Sequence, residues 1–165
     1  NDNFFHSLKK KVYISTWEHF YPSSDYHLFQ PAKEIQTRID AITKDFGENS
    51  VGVHIRRTDH TWAIESSKTN GFVTAIEQEL AVKPDAKFYV ATDDIKEENL
   101  LREKFPEHIL SNQNKTLSRN SVAGMQDALI DLICLASTAK IFGSYYSSFT
   151  DIAADMKHIE KIVIK

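Results

Sequence analysis

The sequence predicts an α/β fold: a three-layer, Rossmann-like parallel sheet with helices on both faces. Three observations carry this reading. Short β-branched and aromatic runs alternate with amphipathic helical stretches along the chain. The connecting helical segments are long enough to be crossovers between parallel strands. The run Val51-Gly52-Val53-His54-Ile55-Arg56 places three β-branched residues on one face of a strand and Gly52 and His54 on the other.

In chain order, residues 4–10 are expected to form a short helix and residues 11–15 a strand, followed by the aromatic segment Trp17, His19, Phe20 and Tyr21. Residues 22–25 read as a turn. Pro31 opens a helix over 31–46, with Ile35, Ile39 and Ile42 on one face and Gly47 as its stop. The central strand occupies 51–56. Residues 58–70 are expected to be a polar loop containing Trp62. A helix over 72–82 carries Phe72, Ile76 and Leu80 and ends near Pro84. Residues 87–92 form a strand running into Asp93 and Asp94. A charged helix over 95–105 is broken by Pro106. A short strand at 108–110, a loop at 111–120 and a long helix over 122–137 follow. The last elements are a strand at 140–143, a helix at 149–156 and a strand at 159–164. No repeat, low-complexity tract or linker interrupts this order, so residues 1–165 read as one domain.

Length and composition limit the function classes. The 165 residues suffice for a real core, and a formal charge of −3 argues against a general nucleic-acid binder. The single cysteine, Cys134, lies in an apolar run, which excludes a disulfide framework and fits a reducing, cytoplasmic setting. The seven histidines show no metal-binding spacing. No apolar stretch reaches transmembrane length, which leaves peripheral membrane association open. The start at Asn1-Asp2-Asn3 suggests a fragment.

Four places could carry chemistry. Arg56 and Arg57 arrive at the end of a strand, where open α/β sheets bind ligands, and guanidinium groups there suit an anion. The alternative is a surface salt bridge. His54 shares parity with Arg56 and is either a satisfied core histidine or a ligand group. Neither GxGxxG nor a P-loop signature is present. Asp131 sits in Ala128-Leu129-Ile130-Asp131-Leu132-Ile133, apolar nearly all round the helix, so its carboxylate needs a partner. That partner is an internal Arg or Ser, or a ligand edge with two adjacent donors, as guanine offers. Asp127, one turn earlier, is expected nearer solvent. In Gly143-Ser144-Tyr145-Tyr146-Ser147-Ser148-Phe149-Thr150-Asp151, Ser148 and Asp151 match a capping box, and the same geometry can hold a phosphate. Asp93 and Asp94 could bind Mg²⁺ or Mn²⁺, or cap the next helix, the reading favoured here. Asn114-Lys115-Thr116 is a sequon that matters only in a secretory setting.

Taken together, these motifs resemble GDP-fucose-dependent fucosyltransferases. His54-Ile55-Arg56-Arg57-Thr58-Asp59 resembles their HxRRxD motif. Phe88-Tyr89-Val90-Ala91-Thr92-Asp93-Asp94 resembles a second block, and residues 127–148 resemble a third, in which a helix with a central Asp leads to a strand and a Ser-rich turn. Residues 13–20 are similar to the aromatic segment upstream in the α1,2 branch.

The resemblance implies the C-terminal, donor-binding half of a GT-B glycosyltransferase, with an acceptor-binding N-terminal half missing. It implies GDP-fucose as donor, a glycan acceptor, inverting transfer and no metal cofactor. Arg56 would contact the diphosphate and act in catalysis. His54 and Asp131 would hold guanine, Ser147 and Ser148 would bond phosphate, and Arg57 would brace the loop beside the nucleotide. The sequence departs from the α1,6 branch after the motif, where His60 and Ile64 stand in place of Lys and Glu. Glu65 and Asp59 are therefore the candidates for the base. The expected setting is bacterial, with a glycan destined for the cell surface. Two alternatives remain: a non-catalytic nucleotide-binding Rossmann-like module, and a metal-dependent GT-A enzyme using Asp93 and Asp94.

Overall fold

A computed structural model describes Tyr26, residues 30–59 and residues 61–165. The helix expected at 4–10, the strand at 11–15 and the aromatic segment that follows lie outside the described residues. The described elements are α1 (Lys33–Thr43), β1 (Ser50–Ile55), α2 (Thr61–Ser66), α3 (Thr69–Val82), β2 (Lys87–Thr92), α4 (Ile95–Lys104), β3 (Ile109–Leu110), α5 (Val122–Ala136), β4 (Lys140–Ser144), α6 (Ser148–Lys157) and β5 (Glu160–Ile164).

The five strands form one all-parallel sheet in the order β3-β2-β1-β4-β5. From β1 the chain walks outward through β2 to β3, then returns to the other side of β1 for β4 and β5. Because parallel crossovers are right-handed, this reversal sends the helices to opposite faces. On one face α3 and α4 cover Val51, Val53 and Ile55 with Phe72, Ile76 and Leu101. On the other, α1, α5 and α6 cover Tyr89 and Ile141 with Ile35, Ile39, Ile130, Leu135 and Ala153. The alternation in β1 therefore divides the apolar face from the face carrying Gly52 and His54, and the strand order places β1 at the centre of the sheet.

Gly52 permits the close approach of α5. A Cβ there would lie 2.9 Å from Leu135 Cδ2 and 3.0 Å from Thr138 Oγ1. Asp94 caps α4, accepting from the Lys96 amide at 2.9 Å, and Ser121 caps α5, accepting from Gly124 at 3.1 Å.

The segment 58–70, expected to be a loop, instead contains α2 and the start of α3. Its polar composition hides a helix that buries one residue, Ala63. Ser67 then joins this segment to the strand ends: its hydroxyl donates to the Ile164 carbonyl at 2.6 Å and accepts from the Tyr145 amide at 2.8 Å.

Candidate functional site

The strand order reverses between β1 and β4, and at such a switch point two diverging loops leave a crevice beyond the carboxyl ends of the strands. A cavity of about 320 Å³ opens there. Its walls come from the end of β1, the end of β2, the loop before α5, the inner face of α5 and the start of α6. Among the lining residues are His54, Arg56, Asp93, Asp131 and Ser148. Four motifs far apart in the sequence thus meet at one opening.

His54 is fixed by its neighbour across the sheet. It pairs in register with Gly143, where a Cβ would come within 2.4 Å of Thr150 Cγ2. The missing side chain lets Thr150 settle on β4, and its hydroxyl lies 2.7 Å from His54 Nδ1. Ser147 Oγ lies 3.3 Å from the same nitrogen, and the Phe149 ring stacks on the imidazole at 4.9 Å. With Nδ1 engaged twice, Nε2 is the nitrogen left for the cavity. Burial pushes the imidazole down to about 4, with the charges of Arg56, Lys115 and Arg119 acting in the same direction and that of Asp93 against it. His54 is neutral at pH 7.

Arg56 and Arg57 diverge completely. The Arg57 guanidinium turns from the cavity: Nε donates to Glu97 at 2.6 Å, one terminal nitrogen donates to the Arg56 carbonyl at 3.0 Å, and the other donates to Thr69 at 3.2 Å. Arg57 thus braces the loop and is not among the residues that line the cavity. Arg56 faces inward. It pairs with Asp59 at 2.6 Å through a terminal nitrogen, and its buried Nε has no hydrogen-bond partner among the described residues.

Asp93 holds this turn in place. It accepts from the amides of Arg57 (2.7 Å) and Thr58 (3.2 Å) and from the Thr58 hydroxyl (2.7 Å). Burial raises its carboxyl, but the Thr58 hydroxyl and the two amides outweigh burial and hold it below the usual range. Asp93 is thus an anchor for the Arg56 turn, while Asp94 alone is the helix cap.

Asp131 is buried in α5 and reaches the cavity. Its partners are not the internal Arg or Ser expected. The Tyr89 hydroxyl donates to Oδ1 at 2.6 Å, and Lys115 Nζ donates to Oδ2 at 3.0 Å. Burial raises its carboxyl, opposed by Lys115 and Tyr89. Asp127, expected nearer solvent, is as buried as Asp131, at 6% exposure each. It accepts from Arg38, from Asn112 at 3.3 Å and from the Thr116 amide at 2.7 Å. Burial raises this carboxyl too, but those donors hold it below the usual range.

The start of α6 departs from a capping box. Ser147, not Ser148, is the N-cap, and no side chain caps the helix. Ser147 Oγ is drawn to His54, and the Asp151 carboxylate pairs with Lys161. The uncapped N-terminus faces the cavity at Ser148 and Phe149. Ser147 itself is buried behind that wall.

Neither candidate base lines the cavity. Glu65 is exposed on α2. Asp59 is held between Arg56 and Arg119, the latter at 2.5 Å. Sequence reasoning missed Tyr89, Lys115 and Arg119. The only signal was their chain position: Tyr89 within the second motif, the other two in the loop before α5.

No family model matches this chain, and no curated protein matches it significantly. Solved structures do. Fucosyltransferase NodZ from Bradyrhizobium is 25% identical, with a TM-score of 0.57 over 74% of this chain and 41% of its own. POFUT1 in complex with GDP-fucose is 12% identical, with a TM-score of 0.57 over 81% of this chain and 46% of its own. A mutant of Arabidopsis thaliana FUT1 in complex with GDP is 13% identical, with a TM-score of 0.57 over 82% of this chain and 33% of its own. The chain thus spans less than half the length of each. The fold of this chain is that of the GDP-fucose fucosyltransferases represented by NodZ, POFUT1 and FUT1.

Proposed function

We propose that this chain is the donor-binding part of a fucosyltransferase, holding GDP-fucose for inverting, metal-independent transfer to a glycan hydroxyl. One observation carries the reading: Arg56, whose buried Nε has no hydrogen-bond partner among the described residues, lines a cavity that the uncapped N-terminus of α6 also lines. A buried N–H without an acceptor costs stability unless a ligand satisfies it. A guanidinium and free helix amides converging on one space suit a diphosphate. The same groups stabilise the charge that grows on a diphosphate leaving group, so the proposed transfer needs no cation. Each Asp131 oxygen keeps a lone pair beyond the bond from Tyr89 or Lys115, and with these the carboxylate accepts from N1–H and N2–H₂ of guanine, while the neutral His54 lies against the base. Ser148 bonds phosphate at the helix tip, and Ser147 supports that wall through His54.

Both oxygens of Asp93 are committed to the Arg56 turn and Asp94 caps α4, which weighs against a metal-dependent GT-A site built on them. The base that deprotonates the acceptor is proposed to come from the part of the enzyme beyond this chain. No helix among the described residues is long and apolar enough to cross a membrane. We place the enzyme in a bacterial cytoplasm, at or near the membrane face where a surface glycan is built.

A second reading, a nucleotide-binding module without chemistry, is favoured by the placement of Glu65 and Asp59 away from the cavity wall. The two readings share the first experiment. Calorimetric titration of the chain should show GDP bound more tightly than ADP, and Arg56→Ala should weaken GDP by about a hundredfold, the value of a charge-assisted bidentate contact. Equal binding of ADP, or an indifferent Arg56→Ala, would rule the site out. Release or transfer of radiolabelled fucose from GDP-fucose, insensitive to EDTA, then separates enzyme from module.

A further inference from the structure

Asp131 answers two of the three polar groups on the Watson–Crick edge of guanine. The third, O6, is an acceptor and needs a donor. Lys115 stands beside Asp131, its Nζ 3.0 Å from Oδ2, its side chain only 3% exposed, and it lines the cavity. An ammonium carries three donors. Among the described residues Nζ hydrogen-bonds Asp131 alone. Glu98 Oε2, at 3.6 Å, is a charge contact beyond hydrogen-bond reach, and that oxygen has no hydrogen-bond partner of its own. Lys115 therefore keeps donors to spare at the wall of an open cavity, whereas the Arg57 guanidinium bonds through each of its nitrogens and is not among the lining residues.

The ammonium is also held in position. Asp131 fixes it from α5 and Glu98 from α4, and Glu98 is itself held by Ser111 at 2.5 Å and Arg102 at 3.2 Å. N1 and O6 are adjacent on the base, as the carboxylate and the ammonium are adjacent here. A guanine that gives N1–H to Asp131 brings O6 to Lys115. Resting on the guanine reading above, we propose that Lys115 donates to O6 and is a specificity-determining residue, so that Asp131 and Lys115 together read the whole edge. Adenine fails at both: its amino group meets the ammonium donor to donor, and its N1 meets the carboxylate acceptor to acceptor.

The alternative role for Lys115 is neutralisation of two buried carboxylates with no contact to the base. Replacing O6 by sulfur, a poorer acceptor, separates the two, because N1–H and N2–H₂ are unchanged. In calorimetric titrations the chain should bind GDP about tenfold more tightly than 6-thio-GDP, the weight of one hydrogen bond to a charged donor. Lys115→Met should bring that ratio close to one and leave the ratio of GDP to IDP, which reports the N2 group and Asp131, unchanged. Lys115→Gln, which keeps a neutral donor, should retain part of the sulfur discrimination. Equal binding of GDP and 6-thio-GDP by the unaltered chain overturns the proposal, and so does a folded Lys115→Met variant that keeps the full ratio. If Lys115→Met does not fold, the unaltered chain and Lys115→Gln decide. Failure of the unaltered chain to bind GDP at all overturns the guanine reading itself, a distinct result.

Discussion

Phe88 and Tyr89 are neighbours on β2, both without exposed surface, and they belong to two regions built on different terms. Phe88 faces α3 and α4 among Val53, Phe72, Ile76 and Leu101, a cluster of apolar contacts. Tyr89 faces α5, and its hydroxyl is committed to Asp131. That second layer buries His54, Asp127 and Asp131 as well, and it is the layer that opens into a cavity. Burial within that cluster requires only shape. In the second layer, each polar group needs a named partner, and among the described residues the buried side-chain donor without one is Nε of Arg56, a residue that lines the cavity. One sheet thus serves as a packed support on one face and a polar binding wall on the other.

The largest effect expected from this contrast belongs to the packed side. Phe88→Ala removes a fully enclosed ring and should cost about 3–5 kcal/mol of stability. Its effect on GDP affinity in molecules that remain folded should be small. Urea unfolding together with titration at low temperature checks both parts. A large loss of affinity at modest loss of stability would mean that the two faces are not independent.

Next comes the arginine pair, where the same division appears between adjacent residues. Arg57 and Glu97 have side chains only 10% and 12% exposed. Removing one partner leaves a nearly buried charge, so Arg57→Ala should destabilise the fold by about 3 kcal/mol. GDP affinity should change far less than in Arg56→Ala, because the Arg57 guanidinium is outside the cavity while its backbone amide still binds Asp93. Equal losses of affinity in the two variants would erase the distinction between brace and ligand.

These contrasts were legible in the sequence to different depths. The alternation Val51, Val53, Ile55 against Gly52 and His54 marks the two faces of β1 directly, and β2 is found at its expected bounds, Lys87–Thr92. The burial of Asp131 is readable because apolar residues surround it on the helix. Its partner is not, because Lys115 belongs to a polar loop with no period to read, and only the fold brings that loop across α5. The same holds for Arg119. Helix α2 escapes notice because six residues that bury one alanine leave no repeating pattern. The Ser148–Asp151 spacing is a real capping pattern, but tertiary partners override it: His54 attracts Ser147, and Lys161 takes Asp151. Local rules fail mainly around the cavity, where side chains answer to partners distant in sequence.

The smallest of these effects tests whether the polar wall is built around an uncharged imidazole. His54 titrates at about 4 in the folded chain, below its ordinary 6.5, because burial disfavours the cation. Between those two values the unfolded chain binds a proton that the folded chain refuses. The stability contributed by this group is therefore complete above about pH 6.5, declines as pH falls, and is lost below about pH 4. From about pH 7.5 to about pH 5 the loss should amount to roughly 2 kcal/mol. Asp93 and Asp127, both held low, stay ionised in either state across that window and add nothing to the slope. Asp131 is held high and works in the opposite direction, so the unaltered chain alone would understate the effect. His54→Gln isolates it: the variant is expected to lose less stability on acidification, by about the same 2 kcal/mol. Parallel pH profiles for the two proteins in urea unfolding would mean that the imidazole titrates as it does in the unfolded chain, open to water, and a gain of stability on acidification relative to His54→Gln would mean that it is charged at neutral pH. In either case the neutral, doubly anchored ring set against the base would have to be abandoned, while the packed face behind it would stand unchanged.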